Sequence, residues 1–142
     1  MRFTHCDASP RACRRRIAVH EWFRRRDGYA PWTVERKSDG AIIGWGGLYN
    51  DPFDSGWGAE VGYHFTPAAW GQGFASELVA ACMALADGAL ALPLVTAFAH
   101  PANHASQRVL TKAGFVPEQF VPKMNRFLYR RTQGGGGFSK AE

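Results

Sequence analysis

The spacing of apolar positions changes several times along the chain, and each change marks an element. Between positions 10 and 26, Ile17, Val19, His20 and Phe23 recur at helical spacing, and arginines at 14–16 and 24–26 crowd the rest of the surface. Ser9 offers a hydroxyl N-cap, Pro10 suits the first helical position, and Asp27-Gly28 supplies a stop. Residues 32–37 and 41–49 read as strands joined by the tight turn Ser38-Asp39-Gly40, a β-hairpin whose second strand is interrupted by glycine. A polar loop over 50–58 leads to a third strand at 60–65. Alternation there puts Glu60, Gly62 and His64 on one face and Val61, Tyr63 and Phe65 on the other.

Residues 66–73 form a proline- and glycine-bearing turn, and a long apolar helix follows from Phe74 to between 86 and 90. The nearly continuous apolar run at 93–100 suits a buried central strand. Asn103 caps a short helix that stops before Gly114. Residues 115–121 and 125–131 make a closing strand pair, and the glycine-rich stretch from 134 reads as a flexible tail. The order α-β-β-β-α-β-α-β-β predicts an α/β sheet layered with helices. Residues 1–132 are expected to form one domain and 133–142 a tail, with no internal repeat.

A chain of 142 residues can bury roughly 70% of the surface its unfolded state exposes. With 46% hydrophobic and 20% charged residues it is neither disordered nor fibrous. The net charge is +5, but its placement says more. Residues 1–37 carry a net +6, residues 38–107 contain no lysine or arginine and carry −6, and residues 108–142 carry +5. This does not match a uniformly basic nucleic-acid coat. No run approaches the roughly 20 apolar residues of a membrane helix. Cys6, Cys13 and Cys82, odd in number and without a CxxC pair, argue against a disulfide framework and predict a reduced, cytoplasmic protein with Cys82 in the core.

The sharpest local feature is Trp70-Gly71-Gln72-Gly73-Phe74-Ala75-Ser76-Glu77, placed between a strand and a helix. Glycines let a ligand approach the backbone, and free N–H groups at a helix start attract an anion. A purely structural glycine turn is the equal alternative. The stretch is not a P-loop, since no Gly-Lys-Ser/Thr follows. It is not a dinucleotide fingerprint, since Ser76 stands where a third glycine belongs. His100 and His104 are four apart, but Pro101 and a helix start separate them, so no metal site is expected.

These pieces in this order, namely residues 44–48, the strand 59–65, the turn 70–77 and the segment 103–115, resemble the GNAT superfamily of acetyl-CoA-dependent N-acetyltransferases. Within it the likeness is to the ribosomal-protein N-terminal acetyltransferases, over about residues 1–131. The resemblance implies a mixed, mostly antiparallel twisted sheet with helices on both faces and a splayed central strand pair. It implies acetyl-CoA as cosubstrate, with its pyrophosphate on the turn (Trp70, Gly71, Gln72, Gly73, Phe74 and Ala75) and its pantetheine arm near His64, Phe65 and Asn103. Trp70 replaces the consensus Gln or Arg. Ser106 matches a serine near the thioester sulfur, and Leu110 occupies the position where many members carry a tyrosine acid, so a proton for the thiolate would come from Ser106 or water.

Direct attack of a neutral amine on the thioester needs a base, for which Glu60 is the candidate; a structural or substrate-positioning carboxylate is its alternative. Trp45 and Trp57 are candidates for the acceptor groove, and Arg108 and Lys112 for an outer phosphate of CoA or for a solvated basic face. The acceptor is expected to be a small-molecule amine or a protein N-terminus. Two rival readings remain: a degenerate member that binds acyl-CoA without catalysis, and an RNA-binding module using the arginine-rich helix at 11–26. Members of the family usually begin with a strand and a helix ahead of residue 9, so the chain reads as short by roughly 35–40 residues. An edge left open at 30–37 would favour a homodimer.

Overall fold

A computed structural model describes residues 8–54 and 56–133. Helix α1 (Pro10–Asp27) starts where Ser9 Oγ accepts the Ala12 N–H at 3.1 Å. It ends at Gly28, whose φ of +86° lets its N–H reach the Arg24 carbonyl at 2.9 Å. Strands β1 (Trp32–Glu35), β2 (Ile42–Asn50) and β3 (Ala59–Phe65) follow as an antiparallel meander. A single 3₁₀ turn (Pro67–Ala69) leads to helix α2 (Phe74–Asp87). Then come β4 (Leu94–Ala99), α3 (His104–Lys112), β5 (Val116–Val121) and β6 (Arg126–Thr132). The strand order is β1-β2-β3-β4-β6-β5, with every neighbouring pair antiparallel except β3 and β4. The expected fold class is the one observed.

The strands lie unusually close where glycine removes the side chain. A Cβ on Gly46 would stand 2.6 Å from the Gly62 carbonyl oxygen and 2.7 Å from the Tyr63 Cα. The glycines that interrupt β2 therefore set how tightly β3 is held. The parallel pair is different: β3 and β4 register only at Glu60 and Thr96, and the strands then part toward their C-terminal ends. That opening is the splay implied by the resemblance.

Helices α2 and α3 cover one face. Leu78, Val79, Cys82, Met83 and Ala86 form the buried side of α2 and pack with Leu48, Val61, Val95 and Ala97 of the sheet. Helix α1 covers the other face more thinly than its periodicity suggests. His20 is its one buried residue, set edge-on to Trp45 and Tyr49 at 5.5 and 5.7 Å, whereas Ile17 is 56% exposed. The expected apolar stripe is thus reduced to a single contact line. The helix lies over a glycine-bearing strand, where aromatic rings on β2 meet it first. Several of its arginines are satisfied locally: Arg24 pairs with Glu21, and Arg26 pairs with Asp27 and lies 4.0 Å over the Phe23 ring. Such exposed pairs contribute little to stability but lower the free positive charge of the helix. The tail expected from 134 lies outside the described residues.

Arg131 closes the far end of the sheet. Its guanidinium binds both Asp87 oxygens at 2.9 and 2.7 Å, and its Nε donates to the Ala113 carbonyl at 3.0 Å. One buried side chain thus joins β6 to the C-terminal ends of α2 and α3. Replacing Arg131 by Ala is expected to cost about 2–3 kcal/mol, since a partly buried carboxylate and a carbonyl lose their donor. A thermal melt checks this, with a fall in Tm of roughly 10 °C expected at this size.

Candidate active site

The splay opens on a cleft of about 600 Å³ bounded by the end of β3, the turn before α2 and the first turns of α3. The glycine turn forms one wall. Gly71 (φ +72°) and Gly73 (φ +84°) adopt left-handed backbone, and a Cβ at either position would meet nothing within 4 Å. Packing therefore does not require glycine there; conformation does, and the absent side chains leave the backbone bare toward the cleft. Gly73 is the N-cap of α2, and the first intrahelical bond runs from the Glu77 N–H to its carbonyl at 3.0 Å. The amides of Phe74, Ala75 and Ser76 consequently have no intrahelical acceptor, and the helix dipole adds positive potential at the same point.

Two side chains hold that turn in shape. Trp70 Nε1 donates to the Phe65 carbonyl at 2.8 Å, tying the turn to the end of β3, and the ring lines the cleft. Gln72 Nε2 donates to the Ala68 carbonyl at 2.8 Å, and Gln72 is not among the residues lining the cleft. Gly71, Gly73, Phe74 and Ala75 line it, as do His64 and Phe65. Phe65 and Phe74 stack at 6.3 Å and form an apolar floor.

Helix α3 supplies the opposite wall. Asn103 Oδ1 accepts the Ser106 N–H at 3.2 Å, so the asparagine caps the helix while lining the cleft. Ser106 Oγ lies 2.8 Å from the Tyr63 hydroxyl. Leu110 is 1% exposed, in the core, so no hydroxyl reaches the cleft from that position. Arg108 and Lys112 line both the cleft and an adjoining recess of about 550 Å³ that includes His104 and Tyr129.

Glu60 lies on the sheet face away from this cleft, beside Tyr49, whose hydroxyl donates to Oε1 at 3.5 Å. It is 4% exposed, and its Oε2 has no hydrogen-bond partner among the described residues. Burial, reinforced by Asp51 and Asp54, pushes its carboxyl up to about 8 against the pull of the Tyr49 hydrogen bond. The loop carrying these aspartates is pinned: Trp57 Nε1 donates to Asp54 at 3.1 Å, and Thr96 Oγ1 to the Trp57 carbonyl at 3.0 Å. His64 stacks on Trp45 at 5.7 Å. Burial, with Arg16 nearby, holds its imidazole below the ordinary histidine range, and its buried Nδ1 has no hydrogen-bond partner among the described residues. Among the described residues, no group of three or more His, Cys, Asp or Glu is arranged to hold a metal ion.

Tyr63 escaped the sequence reading. Alternation placed it on the core face with Val61 and Phe65, and nothing in the linear order links it to Ser106, 43 residues away.

A mixed sheet splayed at its parallel pair, with a bare glycine turn at a helix start, gives a cleft whose backbone amides suit an anionic group. Residues 1–116 match the family described as the Acetyltransferase (GNAT) domain, and the chain belongs to it. It is 34% identical over 87 residues to the uncharacterized N-acetyltransferase YoaA of Bacillus subtilis (strain 168), covering 61% of this chain and 49% of that protein. The chain spans about half the length of the curated relatives it matches. Among solved structures, it is similar to ribosomal-protein-S5-alanine acetyltransferase from Vibrio fischeri (20% identity, TM-score 0.73, 92% of this chain and 77% of that one). It is also similar to yncA from Salmonella typhimurium, solved with its cofactor acetyl-CoA (20% identity, TM-score 0.69, 84% and 72%).

The raised Glu60 carboxyl has a consequence for stability. An unfolded glutamate ionises near pH 4.5, whereas the folded one holds its proton to about pH 8. Between these values the folded state binds more protons, so Glu60 makes stability fall as pH rises through this window. Replacing Glu60 by Gln is therefore expected to leave Tm nearly unchanged at pH 4.5 and to raise it by several degrees at pH 8. Paired melts at the two pH values check it.

Proposed function

We propose that this chain transfers an acetyl group from acetyl-CoA to a primary amine, by direct attack within a ternary complex. The observation that carries the reading is the bare turn at Gly71 and Gly73, opening with the N-terminus of α2 onto the cleft at the splay. A pyrophosphate asks for many N–H donors and no side-chain bulk, and the amides from Gly71 to Ala75 offer both. Asn103 and the aromatic floor would border the pantetheine arm, and Arg108 and Lys112 an outer phosphate.

In this reading the amine nitrogen bonds to the thioester carbon, the carbon–sulfur bond breaks, and the products are an amide and free CoA. The amine proton passes to Glu60, directly or through water, once Glu60 is ionised. Neutral His64 is a second acceptor for that proton, closer to the cleft. The acceptor is a small amine or a protein N-terminus, the latter in keeping with the ribosomal-protein acetyltransferase branch. Asp51, Asp54 and Glu60 would favour a cationic one. We place the protein in the cytoplasm, as a homodimer pairing through the β1 edge, where Trp32 is 42% exposed.

Acetyl-CoA is expected to raise Tm, whereas NAD and ATP are not. Gly73→Arg is expected to abolish that rise by filling the anion path. Gly73→Ala carries the same positive-φ strain of about 1 kcal/mol and should keep it. No rise with the unaltered chain overturns the reading. In a thiol-release assay with a panel of primary amines, kcat/KM is expected to climb with pH through about 8, following Glu60. Glu60→Gln should keep the Tm rise and lose at least tenfold in rate. Binding without thiol release from any amine would favour the non-catalytic alternative.

A further inference from the structure

The Tyr63–Ser106 contact is a side-chain hydrogen bond lining the cleft between the two walls of the splay. Close approach at Gly46 fixes the backbone at Gly62 and Tyr63, and the Asn103 cap fixes the first turn of α3 that carries Ser106. The hydroxyls lie 2.8 Å apart, and among the described residues neither has another side-chain partner. Each oxygen carries one proton, and the bond between them uses only one. A second O–H therefore remains to be donated, and both residues line the cleft. With a phenol as donor and a serine as acceptor, the remaining O–H belongs to Ser106.

We propose that Tyr63 is a positioning residue: it donates to Ser106 Oγ and so turns the Ser106 O–H toward the sulfur of a thioester or thiolate in the cleft. This rests on the acetyl-transfer reading above. When the carbon–sulfur bond breaks, its electron pair goes to sulfur, and the Ser106 O–H stabilises that charge as a hydrogen-bond donor. Neither hydroxyl gives up its proton; the amine proton goes to the base, and the thiolate is protonated from solvent. Burial raises the Tyr63 phenol above its ordinary range, which keeps it a donor throughout.

The test reads the thiol of bound CoA rather than turnover. CoA is added in slight deficit to the protein, and the ultraviolet absorbance of its thiolate is followed against pH for the unaltered chain, Tyr63→Phe, Ser106→Ala and the double variant. Ser106→Ala is expected to raise the apparent thiol pKa by about one unit, a tenfold change in ionisation. Tyr63→Phe should produce roughly half of that shift, and nothing further in the Ser106→Ala background. Calorimetric affinity for CoA measured above the thiol pKa should fall in parallel, with melts reporting any general loss of fold. Bound CoA whose thiol pKa is the same in all four proteins overturns the proposal while leaving the acetyl-transfer reading intact. An equal shift from Tyr63→Phe with and without Ser106 also overturns it. Failure of the unaltered chain to bind CoA overturns both.

Discussion

The parting of β3 and β4 is the constraint on which the rest depends. Parallel strands normally continue their ladder, and an unpaired buried edge costs free energy unless other groups satisfy it. Here the ladder is confined to Glu60 and Thr96, at the base of the opening. Everything that could bind or react is arranged around the consequence. Trp70 caps the Phe65 carbonyl at the free end of β3, the glycine turn follows directly, and α3 enters from the free end of β4. The close glycine contacts between β2 and β3 hold β3 against its antiparallel neighbour, and the Arg131–Asp87 clamp ties the β4–β6 half to both covering helices. The two halves of the sheet are each secured independently, so the gap between them can stay open.

Charge is distributed to suit that gap. The middle of the chain has no lysine or arginine, yet it contains an anion-attracting feature, because backbone amides and a helix dipole need no cation. On the opposite face Glu60 is buried beside Asp51 and Asp54, so its carboxyl holds a proton where an exposed one would not. One sheet thus offers donors toward the anionic side and a high-affinity proton site toward the other. The basic termini take structural work: arginines of α1 pair with local carboxylates, and Arg131 is consumed in the clamp.

Local chemistry was legible in the sequence wherever one residue decides the outcome. Ser9, Gly28, Asn103 and Gly114 start and stop helices as their side chains or left-handed backbone require. The alternation in β3 correctly separated Glu60 and His64 from Tyr63 and Phe65. The splay was reached only through resemblance, since no periodicity encodes where a parallel ladder stops. The apolar face of α1 was overread, because spacing shows which residues align but not how much sheet lies beneath them; Ile17 remains exposed. Gln72 sits inside the motif, yet its amide is spent on Ala68, a contact set by the 3₁₀ turn rather than by the motif. The Tyr63–Ser106 bond and the elevated Glu60 carboxyl depend on neighbours distant in sequence or on burial, and neither is encoded by a local pattern.

The central claim is that backbone amides at the α2 start, rather than the basic ends of the chain, receive the CoA pyrophosphate. Backbone amide chemical shifts of isotopically labelled protein, followed during titration with acetyl-CoA, test it most directly. The account predicts the largest perturbations at Gly71, Gly73, Phe74, Ala75 and Ser76, saturating with a single affinity, with smaller ones at Asn103 and Ser106. Perturbations confined to the arginines of α1, or no saturable change at the glycine turn, would contradict it.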